Sequence, residues 1–226
     1  KREDGSYQLL KDHLTGVAER AEKFAAAIGT PEEGRRTGLL HDIGKYSSNG
    51  QKRQRDPEHT ARVDHATAGA QEALRMKDAP AAFAVAGHHG GLPDIGMAEG
   101  TLVAKKKKRL VGGDDPSAWK SEITVDNQTD LPDWVISHPE SAEAAMYTRM
   151  LFSCLVDADF LDTEQALQGE KQRGGYANVK ELLARLVRSV EPWLKEPKTA
   201  LCARRNEILS RCLKGGDDAR GLYTLT

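Results

Sequence analysis

The sequence predicts an all-α protein. Apolar residues recur at spacings of three and four along most of the chain, the marked segments are bounded by capping residues and glycines, and alternation of period two is confined to the closing stretch Leu222–Thr226. Leu10, Leu14, Val17, Ala18, Ala21, Phe24, Ala25 and Ile28 mark one face of a first helix, which Gly29 ends. Thr30-Pro31-Glu32-Glu33 opens the next, with Thr30 as N-cap, Pro31 at the first helical position and Glu33 closing a capping box. That helix runs through Leu39-Leu40 and delivers His41-Asp42. Further helices are expected from Asp64 to about Met76 and from Ala79 to about Ala86, the second stopped by Gly87 and Gly90-Gly91. Residues from about 95 to 136 have little periodicity and hold the run Lys105–Arg109. They read as a long loop insertion with room for short helices. The clearest helix, Ser141 to Leu161, is rich in Ala, Met, Leu and Val and is expected at the centre of the core. After a Gly174-Gly175 linker come helices from Asn178 to Leu194 and Thr199 to Leu213.

Composition bounds the function. At 226 residues the chain can bury a real core, and it is read as one domain over 1–226. Aromatics are only 5%, so that core must come from Leu, Ala, Val and Ile. The 33 Lys+Arg balance 34 Asp+Glu, so any contact with nucleic acid must be local. No apolar run approaches the ~20 residues that cross a bilayer, and no apolar stretch follows Lys1-Arg2-Glu3-Asp4 as in a signal peptide. Cys154, Cys202 and Cys212 are odd in number and widely spaced, which fits a reducing cytoplasm. The expected location is therefore cytoplasmic, with no membrane partner.

The seven histidines carry the chemistry. His41-Asp42-Ile43-Gly44-Lys45 places an imidazole beside a carboxylate at a helix end, and His88-His89-Gly90-Gly91 places two imidazoles at another. His13 and His65 each sit on an expected helix, and Asp157-Ala158-Asp159 lies on the central one. His59 and His138 read as loop residues. Imidazole titrates near neutrality and is the commonest side-chain metal ligand. Alone, each of these residues has an ordinary structural explanation; their order along the chain does not.

The order His13, His41-Asp42, Lys45, His65, His88-His89 and a late helical Asp is similar to the ligand order of HD-superfamily metal phosphohydrolases. The match extends to Lys11-Asp12-His13-Leu14, Gly38-Leu39-Leu40-His41-Asp42-Ile43-Gly44-Lys45, Asp64-His65-Ala66-Thr67, Ala86-Gly87-His88-His89-Gly90-Gly91-Leu92 and Leu151–Asp159. These resemble the HD nuclease domain of the CRISPR-associated type I nuclease–helicase. Residues 204–226 resemble the lead-in to its helicase half, so residues 214–226 are read as that lead-in and the chain as the nuclease half of a longer protein. No GxxxxGK[ST] occurs in the chain, so it holds no phosphate-binding loop of its own.

The resemblance implies an HD-domain helical bundle and a metal-dependent nuclease that nicks and degrades single-stranded DNA in type I CRISPR interference. Its partners would be single-stranded DNA, a helicase domain in cis and an RNA-guided surveillance complex. By family position, His13, His41, Asp42 and Asp159 would hold a first metal ion and His65, His88 and His89 a second, with Asp42 bridging. His41 and Asp42 would be catalytic, and Lys45 would steady the phosphate. Such mixed ligands suit Mn, Fe, Co or Ni as two divalent transition metal ions. The pattern Ala158-Asp159-Phe160-Leu161 selects Asp159 over Asp157, which is about 200° away around the helix. An HD phosphohydrolase acting on small or cyclic nucleotides is the alternative reading. Lys105–Arg109 could contact a DNA backbone, and Trp119 and Trp134 could stack on bases.

Overall fold

The structure, a computed structural model, describes residues 7–96, 98–169, 171–219 and 221. Among them every regular element is helical, and no strand occurs. The expected stretch Leu222–Thr226 lies outside the described residues. The chain divides into two compact units, one ending at Lys171 and one beginning at Gln172.

In the first unit, α1 (Leu10–Ala25), α2 (Pro31–Leu40), α4 (Ala66–Arg75), α5 (Ala79–Gly87) and α8 (Ala142–Gln168) enclose one core, with α3 (Ser48–Arg55) between α2 and α4. Leu14, Val17, Ala18, Leu40, Ile43, Ala70, Ala82, Val85, Leu151 and Leu155 are sealed from solvent there. The alanines let helix axes approach closely, and the burial of each leucine contributes about 1.5–3 kcal/mol. This is the aromatic-poor core that the composition required.

The boundaries follow the expected ones, with physical exceptions. A 3-10 turn, Ala26–Ile28, follows α1, and Gly29 takes the left-handed conformation at φ 79°. The capping box at Thr30 does not form: the Thr30 side chain caps nothing and accepts a hydrogen bond from the Tyr147 hydroxyl at 3.1 Å. Glu33 is instead buried against Arg36. The helix α3 was not expected, because Ser-Asn-Gly-Gln-Lys-Arg-Gln-Arg has no apolar face; the Ser47 hydroxyl caps it by accepting the Gly50 N–H at 3.0 Å. The central helix α8 continues past Leu161 to Gln168.

The segment from 95 to 136 is not a free loop. It holds α6 (Leu102–Lys107), two 3-10 turns and α7 (Asp133–Ser137), and buries Leu102, Trp119, Ile123 and Val135 against the core. Arg36 donates to the backbone oxygens of Asp126 and Gln128, and Glu33 accepts from the Asp130 N–H at 2.5 Å, so a buried ion pair pins this segment.

The second unit is a pair of helices, α9 (Val179–Lys195) and α10 (Ala200–Gly215), close to their expected spans. Asn178 and Thr199 cap them by accepting the N–H groups of Glu181 and Cys202. The Asn206 amide donates to the Trp193 carbonyl between the two helices. No helix among the described residues is long and apolar enough to cross a membrane.

Candidate metal centre

Two helix ends create the centre. His41 follows the last turn of α2 and His88 the last turn of α5. Each ring turns back on its own helix: His41 Nδ1 lies 2.7 Å from the Gly38 carbonyl and His88 Nδ1 2.7 Å from the Val85 carbonyl. A carbonyl only accepts, so each Nδ1 donates to its own helix and each Nε2 is the nitrogen turned toward the centre. The same bonds satisfy carbonyls that a helix leaves unpaired at its C-terminus, where the negative end of the helix dipole favours a cation.

Asp42 sits between these ends, fully buried. Its Oδ2 faces His41 Nε2 at 3.4 Å and His13 Nε2, from α1, at 3.7 Å. Its Oδ1 faces His65 Nε2 at 3.3 Å and His88 Nε2 at 3.5 Å. The residues thus fall into two adjacent groups with metal-ligand spacing, His13, His41 and Asp159 in one and Asp42, His65, His88 and His89 in the other. Asp159 Oδ1 is 3.3 Å from His13 Nε2 and 3.8 Å from His41 Nε2. Asp157 is exposed on the other side of α8. His89 is exposed, with its Nε2 2.8 Å from that of His65. The Lys45 ammonium, one turn past Asp42, contacts Asp42 Oδ2.

The backbone closes the arrangement at Gly44. Its Cα lies so near the His65 backbone that any side chain would overlap it. That approach brings the loop before α4 onto the His41-Asp42 turn.

The residues present fit a cation. His41 Nε2, His88 Nε2 and Asp42 Oδ1 are buried without a hydrogen-bond partner. Three such orphans around one carboxylate would be costly unless a ligand satisfied them. The charges agree. Despite burial, the surrounding imidazoles hold the Asp42 carboxyl well below its usual range. Asp159 is held down to about 2 against burial, chiefly by its hydrogen bond with His13. Burial lowers His65, and burial with the neighbouring His88 lowers His89 to about 4, so both stay neutral as donors require. His13 goes the other way. Burial disfavours its charged form, but Asp159, Asp162 and Asp42 outweigh it and push His13 up to about 11, so a proton leaves this ring when a cation arrives.

The structure brings together every residue the sequence singled out as a ligand, along with Lys45. It leaves His59 exposed beside Asp56, and His138 exposed at the end of α7. Lys105 and Lys108, expected in a free basic loop, are at 3.6 and 3.1 Å from the Asp64 carboxylate, so part of their charge is spent inside the fold. Trp119 is a buried packing anchor, and Trp134 stacks edge-on against Tyr147 at 5.9 Å.

Sequence reasoning missed Asp162. Its Oδ2 accepts from His13 Nδ1 at 2.8 Å and from the Gln8 amide at 2.8 Å. One turn beyond Asp159 on the same helix, it fixes which His13 nitrogen faces the centre. The i, i+3 spacing of Asp159 and Asp162 was a usable signal.

Comparison with curated proteins gives no match. The model of the HD domain family matches residues 10–188, most of the chain and every residue of the centre. That match joins a centre able to hold a divalent cation to the motif order from which it is built, and the chain belongs to the HD domain family of metal-dependent phosphohydrolases.

Proposed function

We propose that this chain is a metal-dependent nuclease of single-stranded DNA, the nuclease part of a nuclease–helicase acting in type I CRISPR interference in the cytoplasm. A helicase domain in cis and an RNA-guided surveillance complex would supply the opened strand. The observation that carries the nuclease reading is the division of donors around Asp42: one buried carboxylate presents each of its oxygens to a different pair of imidazoles.

In this reading His13, His41, Asp42 and Asp159 hold one divalent transition metal ion, and His65, His88 and His89 hold the second with Asp42 between them. Mn, Fe, Co and Ni suit this mixture of nitrogen and oxygen donors. When bound, such a pair neutralises phosphodiester charge and supplies hydroxide at neutral pH. The protein does the rest. Backbone carbonyls hold the His41 and His88 rings in the donor tautomer, and Asp162 orients His13. Lys45 lies beside Asp42 Oδ2 and at the wall of an open cleft, where its ammonium can hold a non-bridging phosphate oxygen.

The test is ion-by-ion restoration. The protein is stripped with chelator and then supplied separately with Mn, Fe, Co, Ni or Zn. Each form is assayed on a single-stranded oligonucleotide, blunt duplex, deoxynucleoside triphosphates and cyclic nucleotides. Metal-restored cutting of the single strand, with duplex cut more slowly, is expected. Turnover of triphosphates or cyclic nucleotides with an intact single strand would establish the small-nucleotide alternative.

A further inference from the structure

An open cleft of about 590 Å³ adjoins the centre, with His13 and Lys45 forming part of its wall. Both residues face Asp42 Oδ2, so this wall is the centre itself. The other walls come from the residues before α1, the end of α3 and the last turns of α8. The volume far exceeds one phosphate and lies in the range of sites that take a whole organic ligand.

The lining is selective in charge. Arg55 and Lys45 line it, and no carboxylate does. Three other surface cavities each carry acidic side chains: Asp126 and Asp130 in one, Asp64 and Asp114 in the next, Glu72 and Asp115 in the third. Arg55 is exposed and has no ion-pair partner among the described residues, unlike Lys45, Lys105 and Lys108. Its helix is fixed to the site, because Gln51 of α3 donates to the Lys45 carbonyl at 2.9 Å. The apolar part of the lining includes Leu10, Tyr7 and Leu167, with Tyr7 60% and Leu167 40% exposed. A free cation, an aromatic ring and aliphatic surface around one cavity match the two halves of a nucleotide, an anionic phosphate and a flat apolar base.

We propose that this cleft is the subsite for the nucleotide that flanks the phosphate being cut in a single-stranded polynucleotide. Arg55 holds the next phosphate along the strand, and the base lies against Tyr7, Leu10 and Leu167. The proposal rests on the nuclease reading above and adds to it a reason for strand preference: a paired and stacked base cannot enter a side cleft, whereas an unpaired one can.

The experiment uses the 226-residue chain with Arg55→Gln and Leu167→Ala, both at exposed positions. Binding of a dye-labelled ten-nucleotide oligothymidylate is followed by anisotropy in chelator, with thymidine monophosphate as competitor. Hydrolysis of the same oligonucleotide and of bis(p-nitrophenyl) phosphate is measured with metal restored. Arg55→Gln should weaken oligonucleotide binding about tenfold, the size of one lost charge-assisted bond to phosphate. It should lower the ratio of kcat/KM for oligonucleotide over the small diester by a similar factor, mainly through KM. Leu167→Ala should act in the same direction, more weakly. Unchanged binding and an unchanged ratio in both variants would overturn the subsite. Binding of the monophosphate as tight as that of the oligonucleotide would also overturn it, by making a free nucleotide the occupant. If no metal restores cutting while the binding losses stand, the nuclease reading falls, and the cleft stands as a binding site for a single strand but not as a subsite of a cutting reaction.

Discussion

His13 Nδ1 and Asp162 Oδ2 lie 2.8 Å apart, across the interface between α1 and α8. The same carboxylate accepts from Gln8 and lies 3.8 Å from the Arg20 guanidinium, so it is itself held in place. It turns the His13 Nε2 toward Asp42 and Asp159.

Replacing that carboxylate should loosen the ring without removing a candidate ligand. Asp162→Asn is expected to weaken binding of one metal ion by about 10–100-fold, the usual effect of losing a carboxylate behind a ligating imidazole. Titration of the apo protein with Mn or Co, followed by calorimetry, reads this directly. An unchanged affinity for both ions would show that packing alone fixes His13.

Asp42→Ala removes the one group that faces both sets of imidazoles. Metal analysis should fall from about two ions per chain in the parent to one or none, and hydrolysis should fall by at least about 10³-fold. The helical circular dichroism should persist, since the lost oxygens face four imidazoles and Lys45. Lys45→Ala should keep both ions and reduce the rate by a smaller factor, about 10–100-fold. Equal losses in the two variants would place Lys45 in the metal site rather than beside the substrate.

Gly44→Ala tests how closely the two halves of the centre must approach. The added methyl would overlap the His65 backbone, so the turn or the loop must move. A loss of about 1–3 kcal/mol in unfolding free energy is expected, as for other overpacked sites, with weaker binding of the ion assigned to His65, His88 and His89. Denaturant melts and metal titration together check this. A variant with parental stability would mean that the loop yields freely.

A separate cluster contributes to the dependence of stability on pH. Asp78 is buried, accepts from the Ala81 N–H at 2.9 Å, and lies 3.6 Å from Arg36, which is also paired with Glu33. Glu33 Oε2 and Asp78 Oδ2 are both buried without a hydrogen-bond partner. Burial first, and then the neighbouring Glu33, push the Asp78 carboxyl up to about 8. A raised carboxyl pKa means that the folded chain keeps a proton the unfolded chain loses. That contribution is full below about pH 4 and is lost as pH rises through about 8, with a slope of at most about 1.4 kcal/mol per pH unit. Asp78→Asn keeps an oxygen for the cap and adds a donor for Glu33. Its melting temperature should fall less than the parent's between pH 5 and pH 8. Parallel curves for the two proteins would refute the proton retained on Asp78.

The amino-acid sequence by itself determined the helical class, most helix spans and the membership of the centre. Period and caps are local, and His41-Asp42, His88-His89 and the late Asp159 announce themselves by residue type at helix ends and on one long helix. Five features were not read from it. The polar helix α3 carries no apolar stripe, because it is held by the Ser47 cap and by Gln51 on the Lys45 carbonyl rather than by the core. The segment from 95 to 136 looked loose, because its few apolar anchors, Leu102, Trp119, Ile123 and Val135, are too widely spaced to show a period and meet only on the assembled bundle. The pairing of Asp162 with His13, the cleft beside Lys45, and the assignment of each Asp42 oxygen to a different pair of imidazoles are relations between helices far apart in the chain, although the spacing of Asp162 from Asp159 was itself visible in the sequence. Only packing decides those, because a side chain's position on its own helix is local while its partner across an interface depends on how the helices meet.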